Sequence, residues 1–150
     1  MSIVRFQRAN YIVRDIERSL EFYRDILGFQ VEYIIDSEAE SYSYPVFEIP
    51  RDREIRFATL STESQPRVMA LTEIPGDLPD QPLPRRSAIV VEIEDIDGVV
   101  AASKSVGLKV YEEEHLVTQD GREGREIGIV DADGNLVVIY WITQRPGNGA

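Results

Sequence analysis

The chain has 150 residues, 43% of them hydrophobic, enough for one compact protein or two small halves that bury about two-thirds of the surface an unfolded chain exposes. Its 27 acidic and 16 basic side chains leave a net charge of -11, which repels a nucleic-acid backbone or an anionic membrane, so neither is expected as a partner. Without cysteine there is no disulfide or thiolate zinc site, and with no apolar run of signal-peptide length after Met1 and no window near the roughly 20 residues of a membrane span, a cytoplasmic protein is expected.

From Arg8 the chain alternates Ala9, Tyr11 and Val13 with Arg8, Asn10 and Ile12, the period of a two-faced strand. Asp15 is placed to cap a helix whose Ile16, Leu20, Tyr23 and Leu27 recur at helical spacing, and Gly28 supplies the left-handed stop. Phe29 to Ile35 reads as the next strand. Ser37 to Glu54 follows as a long polar and aromatic insertion, a length that in compact domains is often functional. Further strands are expected over Ile55 to Leu60 and Val68 to Thr72. Residues 75–87 hold four of the eight prolines and read as a linker, since proline lacks a backbone donor and resists regular structure.

The phrase that begins at Arg8 then returns at Ala88. Ile89, Val91 and Ile93 share one strand face, Asp95 caps, Ile96, Val99, Val100 and Val106 point inward, and Gly107 stops the helix. Strands are expected over Leu108 to Glu113, Arg125 to Val130 and Leu136 to Ile142, with Asp133, Gly134 and Asn135 as the turn before the last. The reading is α+β, with a βαβββ module over 1–74, the linker, a second module over 88–143 and a flexible tail over 144–150.

The stretches 13–29, 90–110 and 124–141 resemble the vicinal oxygen chelate superfamily, which includes glyoxalase I, extradiol dioxygenases and the fosfomycin- and bleomycin-resistance proteins. The resemblance implies paired βαβββ modules whose sheets curl around a cavity, a homodimer, and a divalent metal held by one side chain from each of four strands. Carried over position by position, those ligands fall on Arg8, Ala70, Ala88 and Val138. An arginine stays protonated, and alanine and valine have no donor atom. Asn10, Glu92, Tyr140 and His115 remain, and a shifted site with one Glu and one Asn would be weak, because open catalytic sites take about three firm protein ligands. No metal and no cofactor is therefore expected.

Arg8 shares strand parity with the lost histidine and calls for an ion pair, for which Glu92 is the expected partner, or for an anion or carbonyl on a guest. Tyr42, Tyr44 and Phe57 offer flat walls to an aromatic guest. Trp141 shares parity with Val137 and Ile139 and belongs against a helix, whereas Tyr140 faces the cavity. His115, the only histidine, reads as a strand-end residue among surface acids, with a proton shuttle as the alternative. Arg122 and Arg125 flank that loop. The expected ligand-binding set is Arg8, Asn10, Ile12, Tyr42, Tyr44, Phe57, Ala70, Ala88, Val90, Glu92, Arg125, Val138 and Tyr140. No Ser/His/Asp or Cys/His nucleophile set can be assembled. The expected function is metal-free binding of a small organic molecule, aromatic or lipophilic, of the sequestration or resistance type. The alternative is a lyase, isomerase or dioxygenase that works through Arg8, Glu92 and Tyr140 or through a metal at shifted ligands.

Overall fold

A computed structural model describes residues 2–147. The chain divides into two compact units, Met1–Pro79 and Asp80–Ala150, the boundary falling within the proline-rich segment. Of the tail expected over 144–150, Gln144 belongs to the last strand and the final three residues lie outside the described residues. No described helix is long and apolar enough to cross a membrane.

The first unit runs β1 (Ala9–Val13), α1 (Ile16–Leu20), β2 (Gln30–Asp36), α2 (Ser43–Val46), β3 (Arg56–Ser61) and β4 (Met69–Glu73). The four strands form one sheet in the order β1-β4-β3-β2, with β1 parallel to β4 and the other pairs antiparallel. Asp15 caps α1 by accepting from the Arg18 N–H, and Ile16, Leu20 and Tyr23 are buried. Beyond Leu20 the helix widens into a π-helical turn, Glu21–Ile26, where the Leu27 N–H reaches back to Phe22 O. Gly28 then ends it at φ +95°, a conformation that strains any residue with a Cβ.

Strand alternation gives the sheet two faces. Tyr11, Val13, Ala58, Leu60 and Leu71 are buried on the side where α1 packs on β4. Glu73 ties that helix to the sheet: it accepts the Ile16 N–H at 2.8 Å and pairs with Arg56, which also binds Glu17. On the other face the insertion between β2 and β3 builds a core of its own. Tyr44, Ile49, Ile55 and Ile74 cluster there, with Ile12 and Leu78 packed against them.

The second unit repeats the plan with β5 (Ala88–Glu92), α3 (Ile96–Ser105), β6 (Lys109–Val110), β7 (Glu114–Val117), β8 (Glu123–Val130) and β9 (Leu136–Gln144). Its sheet has the order β5-β9-β8-β6, with β7 also paired to β8. Asp95 caps α3 through the Gly98 N–H, and Ile96, Val99, Ile129, Val137 and Ile139 form the buried side. Val106, expected inward, is half-exposed at the helix end. The fold is thus mixed α+β, two sheets with few helices, and neither sheet closes into a barrel.

Of the strand expected over Leu108 to Glu113 only β6 forms, and β7, which was not expected, begins beyond it at Glu114. Between the pairs Val110↔Ile129 and Glu114↔Glu126 the outer chain carries one more residue than β8, a bulge that shifts the side-chain phase. A matching irregularity lies between Val31 and Tyr33 where β2 faces β3. The internal repeat therefore extends to the defect in its outer strand.

Candidate functional site

The face of each sheet turned away from its helix carries the residues of interest, and the pairing register arranges them in rows. In the second unit Val90 lies opposite Val138, and Val138 opposite Gly128. The next row is Glu92, Tyr140, Glu126 and Glu114, one from each of β5, β9, β8 and β7. A pocket of ≈ 940 Å³ opens over one end of this face. Leu136, Val138 and Gly128 form its floor, Tyr111, Glu112, Glu114 and Glu126 one side, and Leu83, Pro84 and Arg85 of the proline-rich segment another. Arg85 is spent within the wall, donating to the Tyr111 hydroxyl at 2.8 Å and to Gly134 O. A Cβ on Gly128 would stand 3.2 Å from the Tyr111 ring, so the glycine lets that ring lie on the strand.

The bulge explains this lining. Lys109 and Tyr111 share the pocket side with Val130 and Gly128, yet past the bulge Glu114 is the residue opposite Glu126. Glu113 turns to the other side and binds Arg125. Glu114 and Glu126 therefore face each other as like charges on adjacent strands, a destabilising arrangement, and neither has a cationic partner among the described residues. Simple parity from Leu108 places Glu113, not Glu112 and Glu114, on the cavity side, so these acids were missed. Glu126 was legible from its shared parity with Gly128.

Tyr140 donates its hydroxyl to Glu92 at 3.0 Å. Burial raises the pKa of the phenol, and the Glu92 carboxylate raises it further, so Tyr140 holds its proton and serves as a donor. Glu92 is exposed, which removes the closed environment that a general base in this position would need. Val90 and Ala88 are also exposed.

In the first unit the rows are Asn10, Ala70, Thr59 and Tyr33, then Ile12, Thr72, Phe57 and Ile35. Phe57 packs edge-on to Tyr33, ring centroids 5.9 Å apart. Thr72 donates to Asn10 Oδ1 at 2.9 Å, leaving Asn10 Nδ2 and the Thr59 hydroxyl buried and without partners. Arg8, one residue before β1, is exposed.

Two expected wall residues lie elsewhere. Tyr44 is a core residue of the insertion, 4% exposed, with its hydroxyl on Arg53 O at 2.6 Å; a large ring with Ile49, Ile55 and Ile74 at hand buries itself. Tyr42, its neighbour, is 76% exposed. Arg125 lies opposite Trp141 on the helix side of the sheet, clamped by Asp97 of α3 and by Glu113, which hold it protonated as it holds their carboxyls below the ordinary range. Trp141 accordingly shares that side. His115 is exposed on β7, 3.0 Å from Glu123, away from the pocket lining.

The divalent ion implied by the resemblance does not fit the donor set. Arg8, Ala70, Ala88 and Val138 offer no metal-binding atom, and beside Val138 the floor is aliphatic. A carboxylate group formed by Asp15, Glu17 and Glu73 lies on the helix side of the first sheet, and its Glu17 and Glu73 are bonded to Arg56.

The profile of the Glyoxalase/Bleomycin resistance protein/Dioxygenase superfamily matches residues 5–139. A search of the curated proteins finds no match by sequence. Among solved structures, a glyoxalase family protein from Bacillus cereus is similar at 16% identity and a TM-score of 0.73, covering 95% of this chain and 96% of that one. The fosfomycin resistance protein FosX from Listeria monocytogenes, solved with Mn(II) and sulfate ion, matches at 17% identity, TM-score 0.62, over 95% of each chain. The trypanothione-dependent glyoxalase I of Leishmania major matches at 20% identity and TM-score 0.61, over 91% of this chain and 86% of its own. With nine-tenths of its length inside one profile and its two βαβββ modules in place, the chain belongs to the Glyoxalase/Bleomycin resistance protein/Dioxygenase superfamily.

Proposed function

We propose that this protein binds a small organic molecule without a metal, and that the pocket beside Val138 receives it. The observation that carries this reading is the pocket floor: where the resemblance places a carboxylate ligand, an aliphatic side chain lines a hollow of ≈ 940 Å³, a size suited to a drug-sized guest. Leu136, Val138, Leu83 and the Tyr111 ring favour an aromatic or lipophilic body. Glu112, Glu114 and Glu126 favour a positive charge or hydrogen-bond donors on its edge, because a cation between Glu114 and Glu126 relieves their repulsion. An acidic rim on a chain of net charge -11 also disfavours anionic guests.

The test uses two fluorescent aromatic probes of opposite charge, cationic thioflavin T and anionic anilinonaphthalene sulfonate. Thioflavin T should bind, and Val138→Trp, which fills the floor, should weaken it about tenfold or more while the protein stays folded. Glu126→Gln should weaken it several-fold and flatten its salt dependence. Equal binding of both probes, or binding untouched by Val138→Trp, would remove this pocket as the site. Stoichiometric divalent metal in protein purified without chelator would overturn the metal-free reading.

A further inference from the structure

The residues before β1 are basic and apolar together. Residues 1–14 carry three arginines and no acid, although the whole chain has a net charge of -11. Ile3, Val4 and Phe6 are 93%, 95% and 73% exposed, three large apolar side chains within four positions. A single exposed apolar residue needs no explanation, but a run of them marks a contact surface. Arg8 has no carboxylate partner among the described residues, and Arg5 reaches only the Gln7 side chain, at 3.2 Å.

The pocket of the second unit carries the complementary pattern. Along β9 and β8 its surface passes from Leu136 to Val138 beside Gly128, and then to Tyr140 and Glu126, with Glu114 opposite Glu126. Each step is two residues. An extended chain turns alternate residues to one side with the same step of about 7 Å, so Val4, Phe6 and Arg8 present two apolar side chains and then a cation. Charge and spacing therefore agree in one register. Val4 falls at Leu136, Phe6 beside Val138, and Arg8 at the opposed carboxylates of Glu114 and Glu126. A guanidinium offers planar donors to both, and it relieves a like-charge repulsion for which the second unit supplies no cation among the described residues.

We propose that residues 2–8 of one copy bind in the pocket beside Val138 of a second copy of this chain and hold the two together. On its own chain the segment is exposed, so the occupant is that of another copy. The inference uses the same hollow as the small-molecule reading without requiring that reading. A guest that enters must compete with the segment.

The experiment titrates a peptide of residues 2–8 into the chain lacking residues 2–7, a removal that touches no strand or helix. The peptide should bind, and Glu126→Gln and Val138→Trp in the protein should weaken it several-fold and about tenfold. Within the peptide, Arg8→Glu should weaken binding about tenfold or more, and Arg5→Glu, on the opposite side of an extended chain, should cost less. Equal losses from the two substitutions indicate charge attraction without register and overturn the docking. In sedimentation the full chain should exceed its monomer mass and return to it when residues 2–7 are removed. Failure of the peptide to bind, or a mass that the removal leaves unchanged, overturns the proposal. Thioflavin T separates the two readings: dye bound where the peptide is not removes the segment and keeps the guest, and peptide bound where the dye is not does the reverse.

Discussion

The chemistry of the second sheet turns on one hydrogen bond between neighbours that a sequence lists almost fifty places apart, Tyr140 to Glu92. Replacing Glu92 by Gln removes the carboxylate that opposes ionisation of the phenol, so the Tyr140 pKa should move down towards the ordinary tyrosine value without reaching it, since burial remains. NMR titration of the Tyr140 ring reads that shift directly. Strand alternation alone puts Tyr140 and Val138 on one face of the sheet, and that much is legible in the sequence. The surroundings of Arg125 are not. Its strand was identified, but the carboxylates that claim it, Asp97 and Glu113, come from a helix and from a bulged strand, and one sequence shows neither approach.

At the scale of elements, the repeat located strands and helices well because caps, stops and alternation are local physics. Asp15, Asp95, Gly28 and Gly107 all stand where that grammar puts them. What escaped it were events with no local signature: the π-helical turn after Leu20, the bulge that ends β6 and the strand β7 beyond it, and the private core of the β2–β3 insertion. That core separates two tyrosines which composition treats alike. Tyr44→Ala should destabilise the protein by about 3 kcal/mol through cavity formation, whereas exposed Tyr42→Ala should stay within about 0.5 kcal/mol, as measured by urea unfolding. If the two substitutions cost the same, the insertion does not form its own core.

The whole molecule carries its acid sensitivity unevenly. Arg56 holds the Glu73 carboxyl below its ordinary value of 4.5 against the opposing effect of burial, with the Ile16 N–H assisting. Because the folded pKa is depressed, this contribution is complete above the ordinary carboxylate value and is lost as pH falls through the lowered one. The corresponding arginine of the second unit, Arg125, sits among exposed acids, where solvent screening leaves its pairs little weight. Hydrogen exchange at pH 6 and pH 3 should therefore show β1 and β4 losing protection before β8 and β9. Arg56→Met should cost about 2 kcal/mol at neutral pH, since it strands a buried carboxylate, and should abolish the difference between the units. Uniform loss of protection in the native protein would refute it.

The bulge before Glu114 has a last consequence, for how such a protein changes. Three residues, 111–113, lie opposite only Ile127 and Gly128, so the loss of one of them would straighten the outer strand and leave Glu114 opposite Glu126. A single lost codon there would thus be absorbed by the bulge, while the acidic pair and the strands behind it kept their places.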